Sequence, residues 1–403
     1  VVSASAVSYN DLTDKDQIVN KDAVSMLVSL GIIEGKPDGS YGPTENVDRA
    51  QMAKMLSVIM NKGVDNSALY QSVNSGLTDI TSHWAKGHIN YCYTTGIIAG
   101  RGTGTFDPSA TVTALEAAKM LLVAVGYDPK IEGFEGADWA INVSVRADEQ
   151  GIFEGFTKDL SAPLNRDDAA LLIYNALDVE MIQSYTTNNY PIAYSDHRTI
   201  LADKYGVIKV QGVVVANEWA SLASDDGDAA LKEGKTTIYN GEGIFSTTGN
   251  TTVSKEDASL KTQTFNVSTP VDMLGKTVNL YIKKTTILAD STVYGDPVVS
   301  DVNTVVTTGE TVLYSGAKDP QVDYDKLLGE NGLTDKDAKY FWNYNSGKYI
   351  PNTTEKYGDK TANVKGATLT IIDNNGDGEV DYVLSVEKAL ADITSVNSKK
   401  ETV

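Results

Sequence analysis

Two stretches of this sequence carry residue types at spacings that could do chemistry. In Asp373-Asn374-Asn375-Gly376-Asp377-Gly378-Glu379-Val380-Asp381, oxygen side chains recur at alternate positions around a glycine. A calcium ion takes several oxygen ligands from a sharply turning loop, so Asp373, Asn375, Asp377 and Asp381 are candidate Ca²⁺ ligands. The place of the usual bidentate Glu is held by Leu384. The same composition also makes an Asn/Asp/Gly hairpin that needs no metal, and no cofactor is required by either reading. The second stretch type is Asp48-Arg49-Ala50-Gln51 and Asn165-Arg166-Asp167-Asp168, where an arginine follows a helix-capping residue. First-turn backbone N–H groups are unpaired, so a guanidinium there adds to a positive potential that suits an anion; a solvated helix residue beside a cap has the same pattern. One cysteine, Cys92, and three histidines, His83, His88 and His197, leave no internal disulfide, no Cys-based zinc site and no HExxH motif. Gly100-Arg101-Gly102-Thr103-Gly104 follows a helical pattern rather than a strand, which excludes a dinucleotide loop. No catalytic residue is assigned.

The arginines sit inside a repeat. Gly31-Ile32-Ile33-Glu34-Gly35, Gly96-Ile97-Ile98-Ala99-Gly100 and Gly151-Ile152-Phe153-Glu154-Gly155 match, and each is followed at the same distance by a proline: Pro43, Pro108 and Pro163. A capped helix then begins at Asp48, Thr113 and Asn165, with an acceptor three residues on, a full capping box in the first two units. Apolar residues follow at helical spacing: Met52, Leu56, Ile59; Ala117, Leu121, Val125; Ala169, Ile173, Leu177. A second helix precedes each glycine motif, whose first glycine suits a left-handed cap. One such hairpin cannot bury its apolar face alone, whereas three can pack about a shared axis.

The second unit reads Leu77-Thr78-Asp79-Ile80, His83-Trp84-Ala85, Gly96 to Gly100, Thr105-Phe106-Asp107-Pro108 and Val112-Thr113. These residues resemble the S-layer homology family, and the resemblance covers roughly Asn10 to Asp178. It implies an all-α threefold helical repeat, a three-helix core with loop-helix prongs. It also implies grooves between prongs that bind a secondary cell-wall polysaccharide, commonly one capped by a ketal-linked pyruvate. The family's arginine falls on Arg49 and Arg166, which would meet the ketal carboxylate with paired charge-assisted hydrogen bonds and could be removed without harm to folding. Ala114 replaces it in the second unit, which implies one weak or empty groove. The family's early aspartate falls on Asp14 and Asp79, either acceptors for sugar hydroxyls or helix-entry caps. Gly35, Gly100 and Gly155 would let sugar approach the backbone, or serve loop geometry alone. Trp84 and Trp139 match the family's tryptophan and either stack on sugar or pack core, with core packing favoured.

After Asp178 the composition turns to Thr, Val, Tyr, Asn and Gly. Gln183–Asn189 reads as a linker, and 206–216, 236–239, 264–267, 277–283 and 302–307 as strands of a small barrel or sandwich, with Asn240-Gly241 as a hairpin turn. A helix over Asp335–Phe341 and a strand pair, 367–372 and 380–386, complete a further module. The expected organisation is multidomain: residues 1–9 a signal-peptide remnant, 10–66, 67–128 and 129–180 the repeats, then mainly-β modules at 181–308 and 309–403. Ala4-Ser5-Ala6 suits signal peptidase, and the polar end at 397–401 reads as the interior of a longer protein. A net charge of −20 over 403 residues argues against broad nucleic-acid binding and against an anionic membrane surface, and no stretch is long and apolar enough to span a bilayer. The function expected is a secreted, wall-anchored surface-layer structural protein whose β modules self-associate into a lattice. A wall-anchored glycan hydrolase and an adhesin are the alternatives.

Overall fold

The computed structural model describes residues 9–222, 230–241, 261–283, 291–308, 324–343, 350–352 and 367–387. The signal-peptide remnant up to residue 8 and the polar end at 397–401 lie outside these. Packing divides the described chain into two compact units. One holds the residues up to Val210 with 280–283 and 291–297; the other holds the rest.

Among the described residues the first unit contains six α-helices, α1 (Lys21–Ser29), α2 (Arg49–Met60), α3 (Lys86–Thr94), α4 (Ala114–Val125), α5 (Trp139–Glu149) and α6 (Arg166–Leu177). Local chemistry sets their ends. The Asp48 and Thr113 side chains accept the third-position N–H of α2 and α4, and Gln51 and Glu116 reach back to close two capping boxes. Asn165 accepts the Asp168 N–H at the start of α6. Gly31, Gly96 and Gly151, just past α1, α3 and α5, have φ of 70°, 79° and 69°, a conformation that costs a residue with a Cβ. All nine apolar positions expected on the capped helices are buried.

These helices pack in a cycle: α2 lies on α3, α4 on α5, and α6 back on α1. Three short backbone contacts close the same cycle. Val47 N–H donates to Leu164 O (2.8 Å), Leu164 N–H to Val112 O (2.8 Å), and Val112 N–H to Val47 O (2.9 Å). The segment before each capped helix is thereby tied to the other two repeats. Ile200, Leu201, Val207 and Tyr281 join the same apolar core. Tyr174 donates to the Tyr281 hydroxyl at 3.0 Å. The helical unit therefore recruits chain well beyond the expected boundary at 180, because these side chains complete its core.

The strands are β1 (Ile182–Tyr185), β2 (Pro191–Ala193), β3 (Val207–Asn217), β4 (Thr236–Tyr239), β5 (Thr262–Phe265), β6 (Thr277–Lys283), β7 (Val293–Val299), β8 (Thr304–Thr307), β9 (Lys339–Asn343), β10 (Ile350–Asn352), β11 (Ala367–Asp373) and β12 (Tyr382–Glu387). They form a β1-β2 hairpin and two five-stranded sheets, β5-β4-β3-β6-β7 and β10-β9-β12-β11-β8. Three expectations are corrected. The polar run Gln183–Asn189 is mostly hairpin: Ser184 pairs with Ile192, and Asn189 turns the chain at φ 64°. Asn240-Gly241 does not close a two-residue turn, since β4 pairs with β5 and Asn240 N–H donates to Lys261 O. The expected helix over Asp335–Phe341 ends in strand β9, because residues 339–343 pair in parallel with β12; the helix α7 lies earlier, at Tyr324–Glu330. Tyr324, Leu328, Tyr340, Leu369, Ile371 and Val383 form the core beneath this sheet.

Candidate functional site

Each capped helix starts against the loop of another repeat, and this places the arginines. Arg49, at the start of α2, is buried at 4 % exposure and reaches into the loop of the second repeat. Its Nε donates to Phe106 O and its Nη2 to Ala99 O, both at 2.9 Å. The guanidinium lies 4.5 Å from the Phe106 ring centre. Arg166, at the start of α6, does the same in the first repeat: its Nε donates to Tyr41 O at 2.8 Å and its guanidinium lies 4.8 Å from the Tyr41 ring. Ala114, at the start of α4, is fully buried, and the neighbouring Leu115 N–H donates to Leu160 O in the third loop.

Arg49 lies at the floor of a groove of roughly 600 Å³ between the second and third repeats. Arg101 and Gly100 from the second loop, Glu116 and Lys119 from α4, and Glu135, Gly136 and Trp139 from the third repeat line it. Arg101 Nη1 donates to Glu116 Oε1 at 3.0 Å. Lys119 Nζ donates to Phe134 O at 2.6 Å and lies 5.7 Å from the Trp139 ring centre. Burial lowers the pKa of Arg49 below the ordinary arginine value; Arg101 adds to this and Glu116 opposes it. Burial likewise lowers Lys119, with Glu135 opposing and Arg49 assisting. Three cations crowded against two carboxylates, two of them depressed by burial and by a neighbouring cation, form an environment that an incoming anion would relieve.

The remaining expected residues divide. Asp14 accepts the N–H groups of Tyr41 and Gly42 at 2.7 and 2.8 Å, and Asp79 those of Phe106 and Asp107 at 2.9 and 2.7 Å. Burial works against ionisation of both, but these amide donors outweigh it and leave each carboxyl below its ordinary value. They fasten the loops; neither caps a helix. Gly100 has no room for a side chain, since a Cβ would meet Thr105 O at 2.9 Å. Gly155 has φ +73° and faces Leu171; Gly35 holds the matching place in the first loop. Trp139 is half-buried in the groove, as packing and stacking both require. Trp84 is 56 % exposed, beside His83 and His88, which overturns the core reading for it.

Among the described residues no three His, Cys, Asp or Glu side chains are placed to share an ion. Asp373 accepts the N–H groups of Asn375, Gly376 and Gly378 at 3.1, 2.7 and 3.0 Å. Asn375 accepts from Asp377 N–H, and Asp381 from Asn374 N–H. Asp377 accepts from Glu379 N–H at 2.8 Å, so Asp373, Asn375, Asp377 and Asp381 each hold an amide of the same hairpin.

Arg101 and Lys119 were not among the expected site residues, although the repeat marks them. Lys119 stands six residues after its cap, as Lys54 does after Asp48; Leu171 holds that place in the third unit. Arg101 follows its loop glycine as Lys36 follows Gly35, against Phe156 in the third unit.

Residues 8–53 and 76–118 match the family model of the S-layer homology domain. The chain is 28% identical over 252 residues to a cell surface protein of Thermoanaerobacter kivui, covering 61% of this chain and 30% of that protein. It is 34% identical over 113 residues to an S-layer protein of Bacillus licheniformis, covering 28% and 12%. With the surface-layer 125 kDa protein of Lysinibacillus sphaericus it shares 24% identity over 383 residues, covering 92% of this chain and 29% of that protein. Other relatives carry enzyme names, a cell wall amidase and an exoglucanase. The chain spans less than a third of the length of the three surface proteins. Among the described residues no helix is long and apolar enough to cross a membrane.

Proposed function

We propose that this chain, a cell-surface protein carrying S-layer homology domains, is held non-covalently to cell-wall polysaccharide by three repeats closed into one helical unit, with the β-rich remainder serving assembly rather than catalysis. The single observation that carries the reading is the cationic groove between the second and third repeats, where Arg101 and Lys119 share the lining with the buried Arg49 and Lys119 lies beside the Trp139 ring. An acidic sugar substituent such as a ketal-linked carboxylate suits that charge, and the indole offers a face for the ring. The third repeat falls outside the matched residues, and its inclusion rests on the cycle of helix packing and backbone hydrogen bonds.

Arg166, Lys36, Lys54 and Trp84 hold the corresponding places around the first loop, so we read a second competent groove there. The third loop pairs with Ala114, Phe156 and Leu171 and has none of these cations. The reading is therefore two charged grooves and one apolar one. The test is co-sedimentation of the protein with purified walls before and after extraction of the polysaccharide, and with the polysaccharide before and after removal of its acidic substituents. Binding that ignores polysaccharide extraction overturns the anchor; binding that ignores the acidic group overturns the charge argument.

A further inference from the structure

The acidic hairpin after β11 has a role that its sequence did not announce: it walls a pocket. In the second unit a cavity of roughly 520 Å³ is lined by β3 at Gln211–Val213, the end of β4 at Tyr239–Gly241, and the hairpin residues Asn374, Asn375 and Asp381. That volume lies within the range of small-molecule sites, ~300–1,000 Å³. Asp337, Lys339 and Tyr382 complete the lining.

The walls are fixed without a ligand. Thr277 Oγ1 donates to Asn374 O at 2.6 Å, and Asn374 Nδ2 donates to Gly275 O at 3.2 Å, which pins the hairpin to β6. Gln211 Nε2 donates to Asn279 Oδ1 and Ser300 Oγ at 3.0 and 3.1 Å. Gly212 admits no side chain, since a Cβ there would meet Tyr239 O at 2.9 Å, so bare backbone forms part of the floor. A pocket already in shape loses little ordering entropy when filled.

The lining selects the chemistry. Two carboxylates, Asp337 and Asp381, line it with one ammonium, Lys339, so there is no cationic cradle for a phosphate, a nucleic acid or an acidic sugar. Tyr239 is 40 % exposed and Tyr382 stacks on Phe341, but no continuous apolar surface suits a lipid. Acceptors and a donor beside the exposed Tyr239 ring and bare backbone match a neutral polyol, whose hydroxyls both donate and accept and whose C–H face lies on an aromatic ring. We infer that this pocket is a second saccharide site, for an uncharged glycan, separate from the charged grooves of the helical unit.

Saturation-transfer NMR on the whole chain, with chitotriose and maltotriose as separate probes, tests this. Transfer to at least one trisaccharide is expected. Tyr239→Ala should abolish it, Asp381→Asn should weaken binding about tenfold, and Tyr239→Phe should keep most of it; Asn at 381 can still accept the Asn374 N–H, so folding is preserved. The Arg101→Ala/Lys119→Ala double variant, altered only in the anchor groove, should bind the probe as the parent does. This separates failure here from failure of the anchor. No transfer from either trisaccharide overturns the inference. So does transfer that survives Tyr239→Ala and Asp381→Asn, or transfer lost with the anchor cations.

Discussion

Arg49→Ala should damage the fold before it damages binding. The side chain is 4 % exposed and holds two carbonyls of another repeat, Phe106 O and Ala99 O, at 2.9 Å each. A hydrogen bond to a charged group contributes about 1.5–3 kcal/mol. Part of that is returned when the buried charge is removed, and the stacking on Phe106 adds less than either bond. The net expectation is a loss of about 2–4 kcal/mol, which for a unit of this size lowers the melting temperature by roughly 5–15 °C. Differential scanning calorimetry reads the shift, and hydrogen exchange should show new openings confined to the second loop, from Gly96 to Asp107. Arg166→Ala should act in the same direction on the first loop, and less strongly, because Arg166 is only partly buried. If Arg49→Ala melts with the parent and loses only wall binding, the guanidinium is a ligand group and the structural argument fails.

Arg101→Ala should weaken binding to acidic wall polysaccharide by roughly 10- to 100-fold with little change in melting, as measured by calorimetric titration; Lys119→Ala should weaken it similarly and also lower the melting temperature, since its Nζ holds Phe134 O. Ala114→Arg should destabilise the helical unit without adding affinity, because Ala114 is fully buried and its loop offers Phe156 and Leu171 in place of cations; a gain in wall binding would refute this. His88 is held neutral: burial lowers its pKa below the ordinary 6.5, Asp65 opposes this and Lys54 assists it. Its Nδ1 meets Ser57 Oγ at 2.6 Å, and Nε2 faces Asp65 at 3.7 Å. Between the depressed value and 6.5 the unfolded chain binds more protons than the folded one, so stability contributed by neutral His88 is lost as pH falls below about 6.5. His88→Gln should flatten that limb of a stability profile taken by urea unfolding. Millimolar calcium should leave the melting of the parent and of Asp377→Ala unchanged, since the 373–381 hairpin closes on its own amides; a calcium-dependent rise would restore the metal reading.

What the sequence made legible was local. Asp48, Thr113 and Asn165 announce helix starts because a side chain and an amide three residues on settle the matter between them, and Gly31, Gly96 and Gly151 announce stops for the same reason. The buried stripe of Leu56, Leu121 and Ile173 follows from period alone. The failures are contacts with distant partners. Residues 339–343 become a strand because β12, forty residues on, and β10 pair with them on either side. Arg49 reads as a free cation until the carbonyls of Ala99 and Phe106, some fifty residues away, are placed against it. Trp84 and Trp139 occupy matching places in the repeat, yet one is open to solvent and the other half-buried against the core beside Lys119, a difference set by neighbours rather than by the motif. Arg101 and Lys119 were readable from their recurrence as Lys36 and Lys54, a signal that lies in comparing units rather than in any one motif.

The backbone triangle of Val47, Val112 and Leu164 bears on how such a unit would fail under load. A linear array of repeats has ends, and ends fray, so tension can peel it one unit at a time. A ring has none. Each of the three N–H groups is answered by a carbonyl in the next repeat, so withdrawing any one repeat breaks two of the three links and uncovers the helix faces on both sides. Tension across this unit would therefore meet a single yield point instead of a staircase. In a force-extension trace, the helical unit should open in one step whose length includes the chain recruited as far as Val210.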